Sequence, residues 1–216
     1  MEVLKYTLIA DGSSDKVLMN IIKWTLDDLY PRLPNEGIFA DFRHLPKPPQ
    51  KADIKNQVND AAEYYPFDVL FYHRDAESSD NDIIEKRVTE IKSQLDNSYS
   101  SKTICVIPIR MMEAWLLFDE MAIKKAAGNR NYTGNFNLPS INKLEAENDP
   151  KKILHNLLMD ASGLKGRSLK KFNVHKRVHL VAENIADFSP LKQLKAFKRF
   201  EQDLKDVIDK LLARKL

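Results

Sequence analysis

The sequence predicts an α/β fold in which a mostly parallel sheet is flanked by helices and followed by a basic helical subdomain. Short apolar segments of strand length alternate with longer segments that carry apolar residues at helical spacing. This alternation is expected when each connection between parallel strands is a helix. The chain has 216 residues, of which 43% are apolar and 30% charged, so it can bury a core of this kind.

The first predicted strand covers residues 3–10, and the first predicted helix covers residues 15–29. Ser13 or Ser14 is suited to cap that helix, since a hydroxyl oxygen accepts from the free N–H groups of the first turn. Pro31 follows the helix and ends it.

A weaker apolar segment at residues 37–42 is predicted as an edge strand. The proline-rich residues 46–49 break the pattern, and residues 52–64 form the next predicted helix. Residues 68–72 are predicted as a strand that is apolar after Asp68, and residues 82–95 as a helix with apolar side chains at helical spacing.

The last predicted strand covers residues 103–109 and contains the single cysteine, Cys105. A lone thiol within an apolar strand is expected to act as a small hydrophobic group, and it excludes an intramolecular disulfide. Residues 112–125 are predicted as a helix whose apolar side chains, Trp115 among them, pack on the core. The Gly- and Asn-rich residues 128–137 are a loop.

The remaining chain is predicted to be helical. Asp149-Pro150 is typical of a helix start, and Ser189-Pro190 begins a last helix that ends near Lys215. Between them lie a basic turn and a helix at residues 176–185. The predicted organisation is therefore an α/β domain at residues 1–127, a connecting loop at 128–147 and a basic helical subdomain at 148–216.

The net charge of +3 conceals an uneven distribution. From Lys151 onward the chain has 16 basic and 7 acidic residues, which leaves a net charge of −6 for residues 1–150. The basic part is suited to a polyanion such as nucleic acid, and a lysine-rich solvated surface is the alternative interpretation. The densest basic run consists of Lys165, Arg167, Lys170, Lys171, Lys176 and Arg177.

The N-terminus does not have the pattern of a signal peptide, and no apolar run approaches the roughly 20 residues that span a bilayer. The sequence therefore predicts a cytoplasmic protein with no membrane partner. His175 and His179 are spaced i, i+4, but no Glu or Cys completes a known zinc motif, so they are expected on a basic helix face.

Three polar clusters each follow a predicted strand: Asp11-Gly12, His73-Arg74-Asp75-Ala76-Glu77 and Arg110-Met111-Met112-Glu113. The carboxyl ends of parallel strands share one edge of a sheet, so these clusters are expected to converge there. Together with an imidazole, their carboxylates are suitable ligands for a hard divalent cation such as Mg²⁺ or Mn²⁺. The predicted metal ligands are Asp11, Asp75 and Glu113.

Each cluster also has a purely structural interpretation. Asp-Gly turns are common, Glu113 stands where it would complement a helix dipole, and Arg74 is equally suited to a buried ion-pair network. Asp75 is the leading functional residue, because a buried strand rarely ends in so many charges unless something pairs with them.

The order of these clusters resembles the TOPRIM fold, a metal-binding α/β domain of topoisomerases, primases and some nucleases. Asp11-Gly12 is similar to the acidic residue and glycine of its first motif, and His73-Arg74-Asp75 to its Asp-x-Asp pair. The segments at residues 70–77 and 107–117, the latter containing Glu113-Ala114-Trp115-Leu116-Leu117, resemble an uncharacterised bacterial family of TOPRIM-like proteins. The resemblance covers about residues 1–125.

The resemblance implies metal-dependent phosphodiester hydrolysis of nucleic acid. Asp11, Asp75 and Glu113 would hold the cation, His73 would be a ligand or base, and Arg74 or Arg110 would stabilise phosphate charge. Two positions depart from the family pattern, because Asp11 replaces a Glu and His73 replaces an Asp. Fewer carboxylates weaken Mg²⁺ binding, and an imidazole shifts the preference towards Mn²⁺.

Two other functions are compatible with the same residues. One is a non-catalytic module that docks to a partner protein such as an ATPase, and the other is a phosphohydrolase that acts on small molecules.

Overall fold

The computed structural model describes residues 3–214, in which four parallel strands form one sheet. The strands are β1 (Leu4–Ile9), β2 (Asn35–Phe39), β3 (Val69–His73) and β4 (Thr103–Val106), in the order β2-β1-β3-β4. The fold is therefore α/β with a parallel sheet flanked by helices, as the sequence predicts. From β1 the chain passes to β2 on one side of β1, and then to β3 on the other side. The topological switch point therefore lies between β1 and β3.

Helices cover both faces of the sheet. The α-helices are α1 (Leu18–Leu29), α2 (Ile54–Tyr64), α3 (Ile83–Lys92), α4 (Asn97–Ser100), α5 (Glu120–Ala126), α6 (Pro150–Ser162), α7 (Gly166–Lys170), α8 (Val174–Asn184) and α9 (Lys195–Arg214). Short 3₁₀ helices cover Ser13–Val17, Phe42–His44, Met112–Leu116, Ile141–Ala146 and Ser189–Gln193.

Consecutive residues of β3 point to opposite faces of the sheet, as the pleat requires. Phe71 packs against Phe200 of α9, with ring centroids 6.2 Å apart. The hydroxyl of Tyr72 instead donates to Gln57 of α2, at 2.5 Å. The two faces are called the α9 face and the α2 face below.

Strands β3 and β4 are buried along their whole length, which explains their continuous apolar sequences. Trp115 is also buried and contacts Phe197 and Phe200 of α9, which confirms that it belongs to the core. The edge strand β2 alternates between half-buried and exposed residues, because it pairs with β1 alone and α1 packs against it.

Several predicted helices begin or end elsewhere. The helix predicted at residues 15–29 starts as a 3₁₀ turn, and the one predicted at 112–125 divides into a 3₁₀ helix and α5. Ser189-Pro190 begins a 3₁₀ helix rather than α9. The predicted end near Lys215 lies outside the described residues.

The C-terminal helices pack directly on the sheet domain. Asp149 caps α6 by accepting from the backbone N–H of Lys152, with Pro150 in the first turn, as predicted. Helix α8 contacts α1, α5 and the 3₁₀ helix Ser13–Val17, and α9 contacts β4. The buried residues of these helices belong to one hydrophobic cluster with those of the sheet. The division at residues 127 and 148 stays a prediction.

Across residues 3–214, the helices are too short or too polar to cross a membrane.

Candidate functional site

Asp15 reaches the switch point from the 3₁₀ helix that follows β1. One of its carboxylate oxygens accepts from the backbone N–H of Gly12 at 2.9 Å, and the other accepts from the hydroxyl of Ser14 at 3.0 Å. These bonds hold the side chain back over the turn. Asp15 is thereby directed at the end of β3, where Oδ2 lies 4.0 Å from Nε2 of His73.

His73 is the last residue of β3, and only 1% of it is exposed. Its Nδ1 lies 2.9 Å from the carbonyl oxygen of Val106 in β4. A carbonyl oxygen only accepts, so Nδ1 carries the proton of this hydrogen bond. Nε2 is therefore the free nitrogen, and it faces two carboxylates: Asp15 and Asp75, the second with Oδ1 at 3.6 Å.

Asp75 lies on the same side of the chain as His73, as alternation along an extended segment predicts. Its Oδ1 accepts from the backbone N–H of Met112 at 2.8 Å, so the carboxylate also caps the 3₁₀ helix Met112–Leu116. Burial raises the pKa of Asp75 to about 6; the charge of His73 opposes this rise, and the carboxylates of Glu113 and Asp15 add to it.

Glu113 lies in the first turn of that 3₁₀ helix, with 4% of its surface exposed. Asp15, Asp75 and Glu113 are called the acidic group, and together with His73 they are called the acidic site. The ammonium of Lys151 in α6 lies 3.5 Å from its Oε1. His155, one turn further along α6, lies close enough for the charge of Glu113 to act on its pKa, which burial lowers overall. The sequence alone had indicated no role for Lys151 or His155.

Asp11 lies on the α2 face of the sheet, opposite to His73 and Asp75. Its side chain is exposed and lines a groove together with Gln57 of the α2 face. The charges that act on the pKa of Asp75 come from His73, Glu113 and Asp15, and Asp11 is not among them. Asp15, rather than Asp11, is therefore the carboxylate after β1 that lies beside His73 and Asp75.

Arg74 also points to the α2 face, because it alternates with His73. Its guanidinium donates to Glu90 of α3 at 2.5 Å and to the carbonyl oxygen of Lys51 at 3.3 Å. Arg87 donates to the same carboxylate and to Glu77. These contacts support the ion-pair network that was the structural alternative for Arg74.

Arg110 connects the loops that follow β3 and β4 mainly through its backbone. It has a φ of +65°, and Glu77 opposite has a φ of +60°. The N–H of Glu77 donates to the carbonyl oxygen of Arg110, and the N–H of Arg110 to that of Ser78. The guanidinium of Arg110 donates to the hydroxyl of Ser79 at 2.9 Å. The two loops beyond β3 and β4 are thus held together at a cost in backbone strain.

The donor atoms suit a divalent cation in type, since carboxylate oxygens and one imidazole nitrogen converge. Two ligands of one Mg²⁺, each at about 2.1 Å, are at most about 4.2 Å apart, and both distances from Nε2 of His73 are within this limit. As the side chains of residues 3–214 stand, no three such groups surround a single point. A change of side-chain conformation would be needed to bring three of them around one cation.

Five residues of the predicted basic run are exposed: Lys165, Arg167, Lys170, Lys171 and Lys176. Arg177 differs, because its guanidinium donates to the carbonyl oxygen of Ala126 at 3.0 Å and stacks on Phe172. It joins α8 to α5 rather than extending into solvent. His175 contacts His155, with ring centroids 5.1 Å apart.

Comparisons of the chain with protein-family models, with curated proteins and with solved structures found no match. The resemblance to TOPRIM-like proteins therefore stays a prediction, and the function has to be argued from the site itself.

Proposed function

We propose that this protein is a divalent-cation-dependent hydrolase of phosphodiester bonds in nucleic acid. The observation that carries the proposal is the environment of Nε2 of His73, which faces the carboxylates of Asp15 and Asp75. In a neutral ring this nitrogen presents a lone pair to two anions. Such an arrangement is favourable only when a proton or a metal cation lies between them.

His73, Asp15, Asp75 and Glu113 would hold the cation. When bound, it would neutralise charge on the scissile phosphate and lower the pKa of a nearby water. The hydrogen bond from Nδ1 to Val106 fixes which nitrogen of His73 is free, and the N–H of Met112 orients Asp75. The imidazole favours Mn²⁺ over Mg²⁺.

The position of the site supports a role in ligand chemistry. In parallel α/β sheets, ligands bind at the carboxyl ends of the strands, beside the switch point. Asp15 follows β1, and His73 and Asp75 lie at the end of β3, so they flank that point.

Nucleic acid is the proposed substrate because of the exposed basic residues of α7 and α8. Helix α8, which carries Lys176, packs against the 3₁₀ helix that carries Asp15, so part of the basic segment is next to the element that would supply a ligand. Lysine and arginine on that surface would neutralise backbone phosphates on either side of the cleaved bond.

A non-catalytic module that docks to a partner protein is the second candidate. The contact between Lys151 and Glu113 favours it, because an ammonium already balances one carboxylate there. In that case the acidic group would be satisfied within the protein and would need no metal.

Cleavage of a labelled oligonucleotide separates the two candidates. We expect the parent protein to cleave in Mn²⁺ and not in EDTA. Asp15→Asn and Asp75→Asn should each lower kcat at least about 100-fold, the scale seen when a group that stabilises transition-state charge is lost. Asp11→Asn is the matched control, because it makes the same change in the same turn on the opposite face, and its kcat should stay within about threefold of the parent.

Absence of Mn²⁺-dependent cleavage by the folded parent protein, on single-stranded and duplex substrates alike, would reject the hydrolase and favour the docking module. Equal losses in Asp11→Asn and Asp15→Asn would reject the assignment of ligands.

A further inference from the structure

A groove of about 370 Å³ lies on the α2 face, next to the acidic site. Its walls are the turns that follow β1 and β2, and the segment 48–51 closes it. The side chains used below are Asp11, Phe39, Phe42, Pro48, Pro49 and Lys51. We call this the β2 groove.

The β2 groove shares a turn with the acidic site. Asp11 lines the groove, whereas Asp15 faces His73, and the N–H of the intervening Gly12 donates to Asp15. A ligand in the groove would therefore extend over this turn towards His73 and Asp75.

The segment that closes the groove is held in place. Gln57 is 5% exposed, and its amide donates to the carbonyl oxygens of Gln50 and Lys51, each at 3.3 Å. Arg74 also donates to Lys51, and Tyr72 donates to the other end of the Gln57 amide. Tyr72 and Arg74, which flank His73, thus help to fix the segment 48–51. Because the groove is already formed, little conformational entropy is lost when a ligand binds.

The surface of the groove combines flat apolar faces with one unbalanced cation. Phe42 is half-buried, and its ring is fixed by an edge contact with Tyr65, with centroids 6.1 Å apart. Arg43 at the rim is neutralised by Asp41, to which it donates from both Nε and Nη2. Lys51 is exposed and has no carboxylate within ion-pair distance in residues 3–214.

We propose that the β2 groove binds one unstacked nucleotide of a single-stranded nucleic acid, with its base on Phe42 and the two prolines and its phosphate beside Lys51. The inference rests on the proposed function, because it names the strand that the acidic site would cleave. Aromatic faces beside a cation are the usual recognition surface for single strands, since every base has a stacking face.

Duplex nucleic acid fits this groove poorly. Its bases are stacked and paired, so a base could enter only after it had been unstacked and unpaired, which costs free energy. The groove therefore predicts a preference for single strands that the basic surface of α7 and α8 alone would not create.

Binding of a fluorescein-labelled single strand, measured by anisotropy in EDTA, tests the inference apart from catalysis. Phe42→Ala should weaken binding about 10-fold, within the range of one base-aromatic contact. Lys51→Glu should weaken binding and reduce the salt dependence by about one phosphate contact. Lys47→Glu, a nearby exposed lysine outside the groove, is the control and should change the affinity about twofold at most.

Photo-cross-linking of the parent protein to a strand that contains 5-iodouracil gives the same answer without a substitution. Cross-links should fall in residues 39–51. Cross-links confined to residues 165–177, or parent affinity in both groove variants, would overturn the inference.

The outcomes separate the inference from the proposed function. Cleavage by the parent protein with unchanged KM in Phe42→Ala and Lys51→Glu would overturn the groove and leave the hydrolase standing. Groove-dependent binding by a parent protein that does not cleave would keep the groove as a binding site and overturn the hydrolase.

Discussion

Asp75 has two roles that act against each other. As a cap for the 3₁₀ helix it accepts from Met112, and as a member of the acidic group it lies near Asp15 and Glu113. The first role is retained by any acceptor of the same shape, whereas the second depends on the negative charge. Asn at this position would keep the cap and remove the repulsion.

The raised pKa of Asp75 makes the stability of the protein depend on pH. Between pH about 4 and about 6 the folded state keeps a proton that the unfolded state has lost, so this group destabilises the fold as the pH rises through that window. Asp75→Asn should therefore be more stable than the parent protein by about 1–2 kcal/mol at pH 7.5, after allowance for solvent screening, and equally stable at pH 4.

Urea denaturation at the two pH values measures this difference. Glu36→Gln, an exposed acid on β2, is the control, and its free energy of unfolding should stay within about 0.5 kcal/mol of the parent, the usual range for a surface substitution. A variant that is less stable than the parent at pH 7.5 would mean that the charge of Asp75 is paired within the protein.

Side-chain alternation explains which site residues the sequence could predict. His73 and Asp75 are two positions apart on one extended segment, so their common side follows from the sequence alone. The same rule separates Asp11 from His73. Ile9 pairs with Tyr72 across β1 and β3, so two residues further on Asp11 is level with Arg74, whose side chain points to the opposite face from that of His73. The register was needed for this conclusion, and a sequence does not specify the register between distant strands.

At the level of single elements, β2 and β1 meet at Gly37, where even a methyl side chain would be crowded. Gly37 pairs with Tyr6, and the Cβ of an alanine would overlap the Tyr6 ring. Tyr6 is buried and packs against Phe71, so its ring has little freedom to move.

Gly37→Ala should therefore destabilise the protein by about 1–3 kcal/mol, the usual cost of overpacking. Gly12→Ala is the matched control, because Gly12 has an extended φ of −142° and an added Cβ would find its nearest neighbour at 3.4 Å. The measurement is the free energy of unfolding in urea. Similar values for the two variants would contradict the packing of β2 on β1.

The boundaries of the elements were less predictable than their type. Apolar spacing identifies helical segments, but a 3₁₀ turn and an α-helical turn have similar patterns over four or five residues. At residues 112–116 the capping contact from Asp75 comes from a distant part of the chain. Local sequence contains no sign of such a contact.

At the scale of the whole molecule, the C-terminal helices complete the site as well as the core. Helix α6 brings Lys151 and His155 to Glu113, and α8 supports the turn that carries Asp15. The excess of basic over acidic residues in these helices was visible in the sequence. Their contacts with the acidic group were not, because long-range packing leaves no periodic signal.

The exposed basic surface should contribute to nucleic-acid binding through phosphate contacts. Arg167→Glu with Lys171→Glu should weaken binding of a single strand and reduce the slope of log affinity against log salt by about 1.4, or about 0.7 for each lost contact. Lys143→Glu, an exposed lysine elsewhere, is the control. An unchanged slope in the double variant would assign these residues to a solvated surface.

We propose that Asp15, His73 and Asp75 hold a divalent cation at the switch point. The most direct measurement is an anomalous difference map from crystals of the parent protein soaked in Mn²⁺. The claim predicts one strong peak about 2.0–2.3 Å from Nε2 of His73 and from carboxylate oxygens of Asp15 and Asp75. A peak at Asp11 instead, or no peak in the acidic group at a Mn²⁺ concentration that supports cleavage, would contradict it.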